Sequence, residues 1–204
     1  MKQFTLKTFT IPALKGISAK NIEEHLKLYA GYVKNTNLIL TKIEELKKDT
    51  DSSTPSGQGN AYIVGEINRR FGFEYNGMRN HEIYFSSLEG ATPLSDKSSL
   101  KKTISETWGS FDAWLAEFKL IGLTRGIGWA ILYYDNKDGR LLNAWIDEQH
   151  LGQLQGCSPI LAMDMWEHSY VADYQPSGKK NYIEDFFANL NWEVIEGNFK
   201  KAVR

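Results

Sequence analysis

The sequence predicts an α+β fold: an N-terminal long antiparallel helical hairpin, then a C-terminal domain with a three-stranded antiparallel sheet flanked by helices. Three observations carry this reading. Apolar residues recur at alternating steps of four and three through the first half; from residue 128 the pattern changes to β-rich runs joined by an Asp-Gly turn; and two amphipathic segments close the chain.

The first helix opens at Gly16-Ile17-Ser18, where Ser18 can act as the cap and Ile17 can staple onto Ile22. Ile22, Leu26, Tyr29, Val33, Thr36, Leu40 and Ile43 then mark a seam packed lengthwise on another helix, and Lys47-Lys48 closes it where cations suit the dipole. Residues 49–59 (DTDSSTPSGQG) read as a loop. A second helix is expected from near Asn60, with Ile63, Ile67, Phe71, Tyr75, Met78, Glu82 and Phe85 in the same rhythm and a break or tight approach at Gly72 and Asn76-Gly77. Residues 90–99 (GATPLSDKSS) mark a boundary, which divides the chain into units 1–92 and 93–204. Helical spacing returns over 104–118, with Trp108, Phe111, Trp114 and Phe118. The runs 128–134 (GWAILYY) and 140–146 (RLLNAWI) form a hairpin turned by Asp138-Gly139, and 159–164 (PILAMD) is a third strand. Residues 182–190 and 192–200 read as closing helices.

Composition narrows the function classes. The 204 residues carry 24 Lys and Arg against 25 Asp and Glu, a formal net charge of −1 that sets up no field toward nucleic acid or an anionic membrane. A single cysteine, Cys157, excludes an intramolecular disulfide framework and a multi-cysteine zinc site. The first fourteen residues alternate polar and apolar and are not expected to be a leader, and the apolar runs fall far short of the ~20 residues of a membrane span. The expected compartment is the cytoplasm. Gly126-x-Gly128 lacks the third glycine and the βαβ context of a dinucleotide site, and neither a Walker loop nor a nucleophile elbow occurs.

Chemistry therefore rests on four histidines: His25, His81, His150 and His168. Asp164-Met165-Trp166-Glu167-His168 places a carboxylate and an imidazole four residues apart at the end of an apolar run, while His25 and His81 lie on the first and second helices. Three imidazoles and one carboxylate form a mixed nitrogen and oxygen set suited to a first-row metal such as manganese or iron.

The segment 164–170 (DMWEHSY) resembles the D-x-W-E-H-x-[FY] signature of the iron/manganese superoxide dismutases. Asn80-His81 with Tyr84-Phe85 resembles that family's N-H-x-x-[FY]-[FW] segment, Gly126-Ile127-Gly128-Trp129 its G-x-G-W strand start, and residues 182–192 (YIEDFFANLNW) its closing Y-x-x-x-F-x-x-x-x-N-W helix. The similarity spans residues 10–200 in the family's order.

The resemblance implies that His81, Asp164 and His168 are metal ligands. The family's first ligand lies eight residues before an active-site tyrosine, here Tyr32; that slot is Glu24, whereas His25 is seven residues before it. Seven residues of regular helix return to within ~20° of the same face and eight overshoot by ~80°. Geometry thus favours His25, with Glu24 as the alternative. The middle histidine of the family's first motif is absent, with Leu28 or Tyr29 nearby, and its partner tyrosine is Val171. Joint loss of both halves reads as replacement of a polar bridge by apolar packing, since losing one would strand the other.

The resemblance also implies Gln149 as donor to the metal-bound solvent, with His150 a rival, and Tyr32 linking it to the access funnel. Trp129 and Trp166 wall the site. Gly77 on the second helix together with Gln149 is the family's manganese pattern, so the cofactor is one manganese or iron ion per subunit, manganese favoured. Lys179 stands near the family's arginine as a candidate for steering anions. Glu167 matches a glutamate that bonds to the ligand histidine of the other subunit; it and Tyr170 are assigned to a homodimer interface, a dimer of dimers being the alternative. The implied activity is disproportionation of superoxide at a site between the two units. The alternative is a metal-binding homologue with little turnover, to which the altered first helix points.

Overall fold

The computed structural model describes residues 2–48, 50–51 and 53–204. The hairpin consists of α1 (Ala19–Leu46) and α2 (Pro55–Ser86). Ser18 caps α1, its hydroxyl accepting from the Asn21 amide at 3.1 Å, and Ile22, His25, Tyr29, Val33, Thr36 and Ile43 form the buried stripe. The expected start of the second helix near Asn60 is corrected to Pro55. Thr54 caps it by accepting from the Gly57 amide at 3.0 Å, and Pro55 fits the first turn because its missing N–H has no helical partner to lose. The expected 49–59 loop shortens accordingly; Asp49 and Ser52, like Met1, lie outside the described residues.

No break occurs at Asn76-Gly77: α2 is continuous. Gly77 serves a tight approach instead, since a Cβ there would stand 2.6 Å from the Tyr32 ring. The seam fades toward the start of α2, where Ile63 is exposed.

The helix expected over 104–118 is two helices, α3 (Ser99–Trp108) and α4 (Phe111–Gly122). Gly109 adopts a left-handed φ of 83° that ends α3, and Ser110 caps α4 through the Ala113 amide at 3.0 Å. The sheet follows: β1 (Gly128–Asp135), β2 (Arg140–Asp147) and β3 (Cys157–Asp164), all antiparallel in the order β2-β1-β3. Gly139, with φ 68°, closes the β1–β2 turn. Central β1 sets the register that matters later, with Trp129 paired to Ile146 on one side and to Asp164 on the other. A 3-10 turn (Glu167–Ser169), α5 (Val171–Tyr174), a second 3-10 turn (Pro176–Gly178), α6 (Lys179–Ala188) and α7 (Trp192–Ala202) complete the chain.

One apolar core runs through both halves, from Ile17, Tyr29 and Met78 to Trp114, Leu132, Phe186 and Ile195. The junction between halves is stitched by backbone bonds from Asn191 to Ser87 (2.7 Å) and from Thr92 to Leu190 (3.2 Å). Among the described residues, no helix is long and apolar enough to cross a membrane.

Glu196 on α7 fastens the start of α3. Its carboxylate accepts from both Ser98 and Ser99 hydroxyls and from the Ser99 and Leu100 amides, each amide at 3.1 Å. Burial alone would raise its pKa, but these bonds and Lys200 outweigh that and hold it at about 2, against 4.5 ordinarily. The stabilisation is therefore complete above the unfolded value and is lost as pH falls from 4.5 toward 2. Glu196→Gln is expected to lower unfolding free energy at pH 7 by at most about 3 kcal/mol and to flatten its decline below pH 5, measured by urea titrations across pH.

Candidate metal centre

Four side chains from four elements meet where the hairpin faces the sheet. His25 comes from α1, His81 from α2, Asp164 is the last residue of β3, and His168 lies in the turn that follows. Local bonds fix the end of β3: the Met165 amide donates to the Gly128 carbonyl at 2.9 Å, and the Trp166 amide donates to Asp164 Oδ1 at 2.8 Å. That leaves Asp164 Oδ2 facing the histidines. It lies 3.1 Å from His25 Nε2, 3.2 Å from His168 Nε2 and 3.5 Å from His81 Nε2. One candidate ligand atom from each residue falls within 4.8 Å of the others.

The protonation states suit a cation. His81 Nδ1 lies 2.6 Å from the Gly77 carbonyl, which only accepts, so Nδ1 carries the proton and Nε2 is a bare lone pair. That Nε2 is buried without a hydrogen-bond partner and aims at another acceptor, the Asp164 carboxylate. Burial, reinforced by His25, pushes His81 down to about 3, and burial likewise lowers His25. Burial would raise Asp164, yet its histidine neighbours hold it below the usual carboxylate range. A buried imidazole lone pair on His81 Nε2 that faces a carboxylate oxygen with no proton between them calls for a cation. A metal ion answers that requirement, and neutral imidazoles with an ionised carboxylate are the forms that bind one.

Gln149 is fully buried next to this cluster. The Trp129 indole N–H donates to its Oε1 at 2.9 Å; since an indole can only donate, the amide oxygen must face Trp129. Its Nε2 therefore donates to the Tyr32 hydroxyl at 3.0 Å. The Tyr32 and Trp129 rings each lie 5.0 Å from His81, and burial pushes the Tyr32 phenol up. Trp166 stacks at 5.8 Å on His168 and donates to the Glu148 carbonyl at 3.2 Å. His150 stays outside the cluster, its ring 5.8 Å from Phe73.

Glu24 also stays outside, exposed and paired with Lys27 at 2.9 Å, so α1 turns His25 and Tyr32 inward. Leu28 is exposed and Val171 half-buried. Tyr29 is buried, accepting from the Lys7 amide at 3.1 Å. Glu167 is exposed, while Tyr170 is buried within its own chain, 5.6 Å from Tyr182. Lys179 is not brought to the cluster: its ammonium donates to the Thr124 carbonyl at 2.7 Å and lies 5.5 Å over Trp145. A groove of ≈360 Å³, lined by Leu28, Tyr32, Arg70, Phe73, Glu74 and Trp166, opens beside the site. Arg70, 3.6 Å over the Phe73 ring and 3.0 Å from Glu74, has no motif to mark it in sequence. Asn80 sits inside a quoted motif but owes its place here to bonds with Gln149 and Gln153, which no spacing announces.

Comparison with known proteins agrees with this geometry. Residues 96–198 match the family model described as iron/manganese superoxide dismutases, C-terminal domain. An iron superoxide dismutase of Cupriavidus metallidurans is 36% identical, covering 94% of this chain and 92% of that protein. One from Aquifex aeolicus is 34% identical over 94% and 88%, and a manganese superoxide dismutase of Mycolicibacterium smegmatis is 32% identical over 87% and 82%. Similarity at this level along nearly the whole length, in a chain whose histidines and aspartate converge as described, places it plainly: the protein belongs to the iron/manganese superoxide dismutase family.

Proposed function

We propose that the protein disproportionates superoxide, two anions and two protons yielding dioxygen and hydrogen peroxide, at one iron or manganese ion held by His25, His81, Asp164 and His168. The observation that carries this is the convergence of three imidazole Nε2 atoms on one buried carboxylate oxygen, backed by a Gln149–Tyr32 hydrogen bond at 3.0 Å. The ion would supply one-electron chemistry, alternating between +3 and +2. The chain supplies the rest. Asp164 balances the ion's charge, and Gly77 fixes the His81 tautomer. Gln149 donates one amide N–H to Tyr32 and would have the second to offer solvent on the ion. Tyr32 reaches from that amide to the groove, where a proton can be passed from water. Trp129 and Trp166 keep the cluster dry.

Manganese is favoured, because position 77 is a glycine with no amide to offer and the buried amide comes from Gln149, after β2. The site would lie between units 1–92 and 93–204. We place a homodimer contact around exposed Glu167, with Tyr170 backing that turn from inside and Leu28 and Val171 as apolar replacements for a polar bridge. Arg70 and Lys27 line the groove and are candidates for steering an anion, whereas Lys179 is held at Thr124 and Trp145. The cytoplasm is the compartment its cysteine usage suits.

His25→Ala is expected to cut bound metal by about tenfold or more, since even outer partners of ligands are worth that much, while Glu24→Ala leaves it unchanged. Elemental analysis of purified protein reads this directly, and the reverse result would move the first ligand to Glu24. Stopped-flow decay of superoxide, normalised to metal, is expected to be fast with manganese and about 10–100-fold slower in Gln149→Leu. Bound metal without decay for either ion would make the protein a non-catalytic relative.

A further inference from the structure

The amide of Gln149 sits at the end of a turn with one costly residue. Glu148 has φ 51°, a left-handed conformation that disfavours a residue bearing a Cβ by about 1 kcal/mol or more. Such a turn persists only when surrounding bonds determine it. The Glu148 amide donates to the Ile127 carbonyl at 3.0 Å, and Trp166 holds the Glu148 carbonyl. The carbonyl of Gln149 itself is held twice, by Asn80 Nδ2 at 3.2 Å and by Gln153 Nε2 at 3.4 Å. Gln153 Nε2 also donates to Asn80 Oδ1 at 3.3 Å, and Gln153 Oε1 accepts from the buried Tyr133 hydroxyl. One side chain thus ties three things together: central β1 through Tyr133, the backbone of Gln149, and Asn80, the neighbour of His81 on α2.

We propose that Gln153 is a positioning residue for the Gln149 amide: it sets the distance between that amide and the metal-bound solvent by locking the Gln149 backbone to Asn80 and hence to the helix that carries His81. This rests on the function proposed above and adds a residue that touches neither ligand nor substrate. Gln149 has its own side-chain contacts at Trp129 and Tyr32, but these fix the amide's orientation, not the depth of its backbone. Depth is what the Asn80 and Gln153 bonds fix. A displacement of a few tenths of an ångström there changes the hydrogen bond to the solvent, and with it the relative stability of the two oxidation states.

The test compares manganese-loaded parent protein with Gln153→Leu, Gln153→Met, Tyr133→Phe, Gln149→Leu and the double variant Gln149→Leu/Gln153→Met, reading the visible spectrum of the oxidised metal and its reduction potential at matched metal content. Both Gln153 substitutions are neutral and remove the donated bonds; methionine nearly keeps the length and carries the test if leucine fails to fold. The expected result is an at least tenfold change in the oxidised-to-reduced equilibrium for both, about 59 mV for one electron, and a smaller shift for Tyr133→Phe. In the Gln149→Leu background, Gln153→Met should add nothing, because a residue acting only through another is silent once that one is gone. Parental spectra and potentials in both Gln153 variants overturn the proposal, as does an undiminished shift in the Gln149→Leu background. None of these readouts needs turnover, so a parent that binds manganese but leaves superoxide untouched would overturn the proposed function while these shifts stay readable.

Discussion

A fully buried carboxylate that, among the described residues, pairs with no arginine or lysine is the constraint around which this molecule is arranged. Asp164 faces three imidazoles, two of which, His25 and His81, burial pushes toward the neutral form, and its other oxygen is held by the Trp166 amide. A charge in such surroundings is tolerated only with a partner, and α1, α2 and the turn after β3 each turn an imidazole toward it. β1 and β3 pair so that Trp129 stands opposite Asp164. α2 turns a bare Nε2 toward it. α1 brings His25 from the far side.

The same constraint explains why two helices lie so close at one point. For Tyr32 to reach Gln149 while His25 reaches Asp164, α1 must press on α2, and only a residue without a Cβ allows the Tyr32 ring where it sits. Gly77 costs about 1 kcal/mol of helix propensity relative to alanine, and its carbonyl fixes the His81 tautomer. A position that reads in sequence as a helix breaker is an intact turn of helix serving two neighbours.

The parts legible in sequence were those governed by local rules. Caps such as Ser18, the α1 stripe and the Asp-Gly hairpin follow from spacing and turn chemistry. The start of α2 was misplaced because Pro55 and Gly57 look like loop residues, though proline in a first turn with Thr54 ahead of it is a favourable opening. α3 and α4 looked like one helix because the aromatic rhythm carries across Gly109, whose left-handed conformation belongs to the backbone and leaves no periodic mark. At the site, residue types and motif spacing identified the four converging groups, and helix angles placed His25 ahead of Glu24. Arg70 and Gln153 left no mark in the sequence, and the Lys179 contacts with Thr124 and Trp145 could not be read there, for a shared reason: their positions depend on contacts with distant carbonyls, carboxylates and rings, which impose no pattern on neighbouring residues.

The four converging groups are drawn from almost the whole length of the chain, with His25 and Asp164 separated by 139 positions. During synthesis, His25 and His81 are made long before Asp164 and His168 exist, and a hairpin carrying two histidines alone offers a metal neither the carboxylate nor the closed, dry surroundings. A site that could hold an ion therefore requires residues 25 to 168 to be present and folded together. The complete set of four groups is thus a property of the whole folded chain and of neither half of it alone.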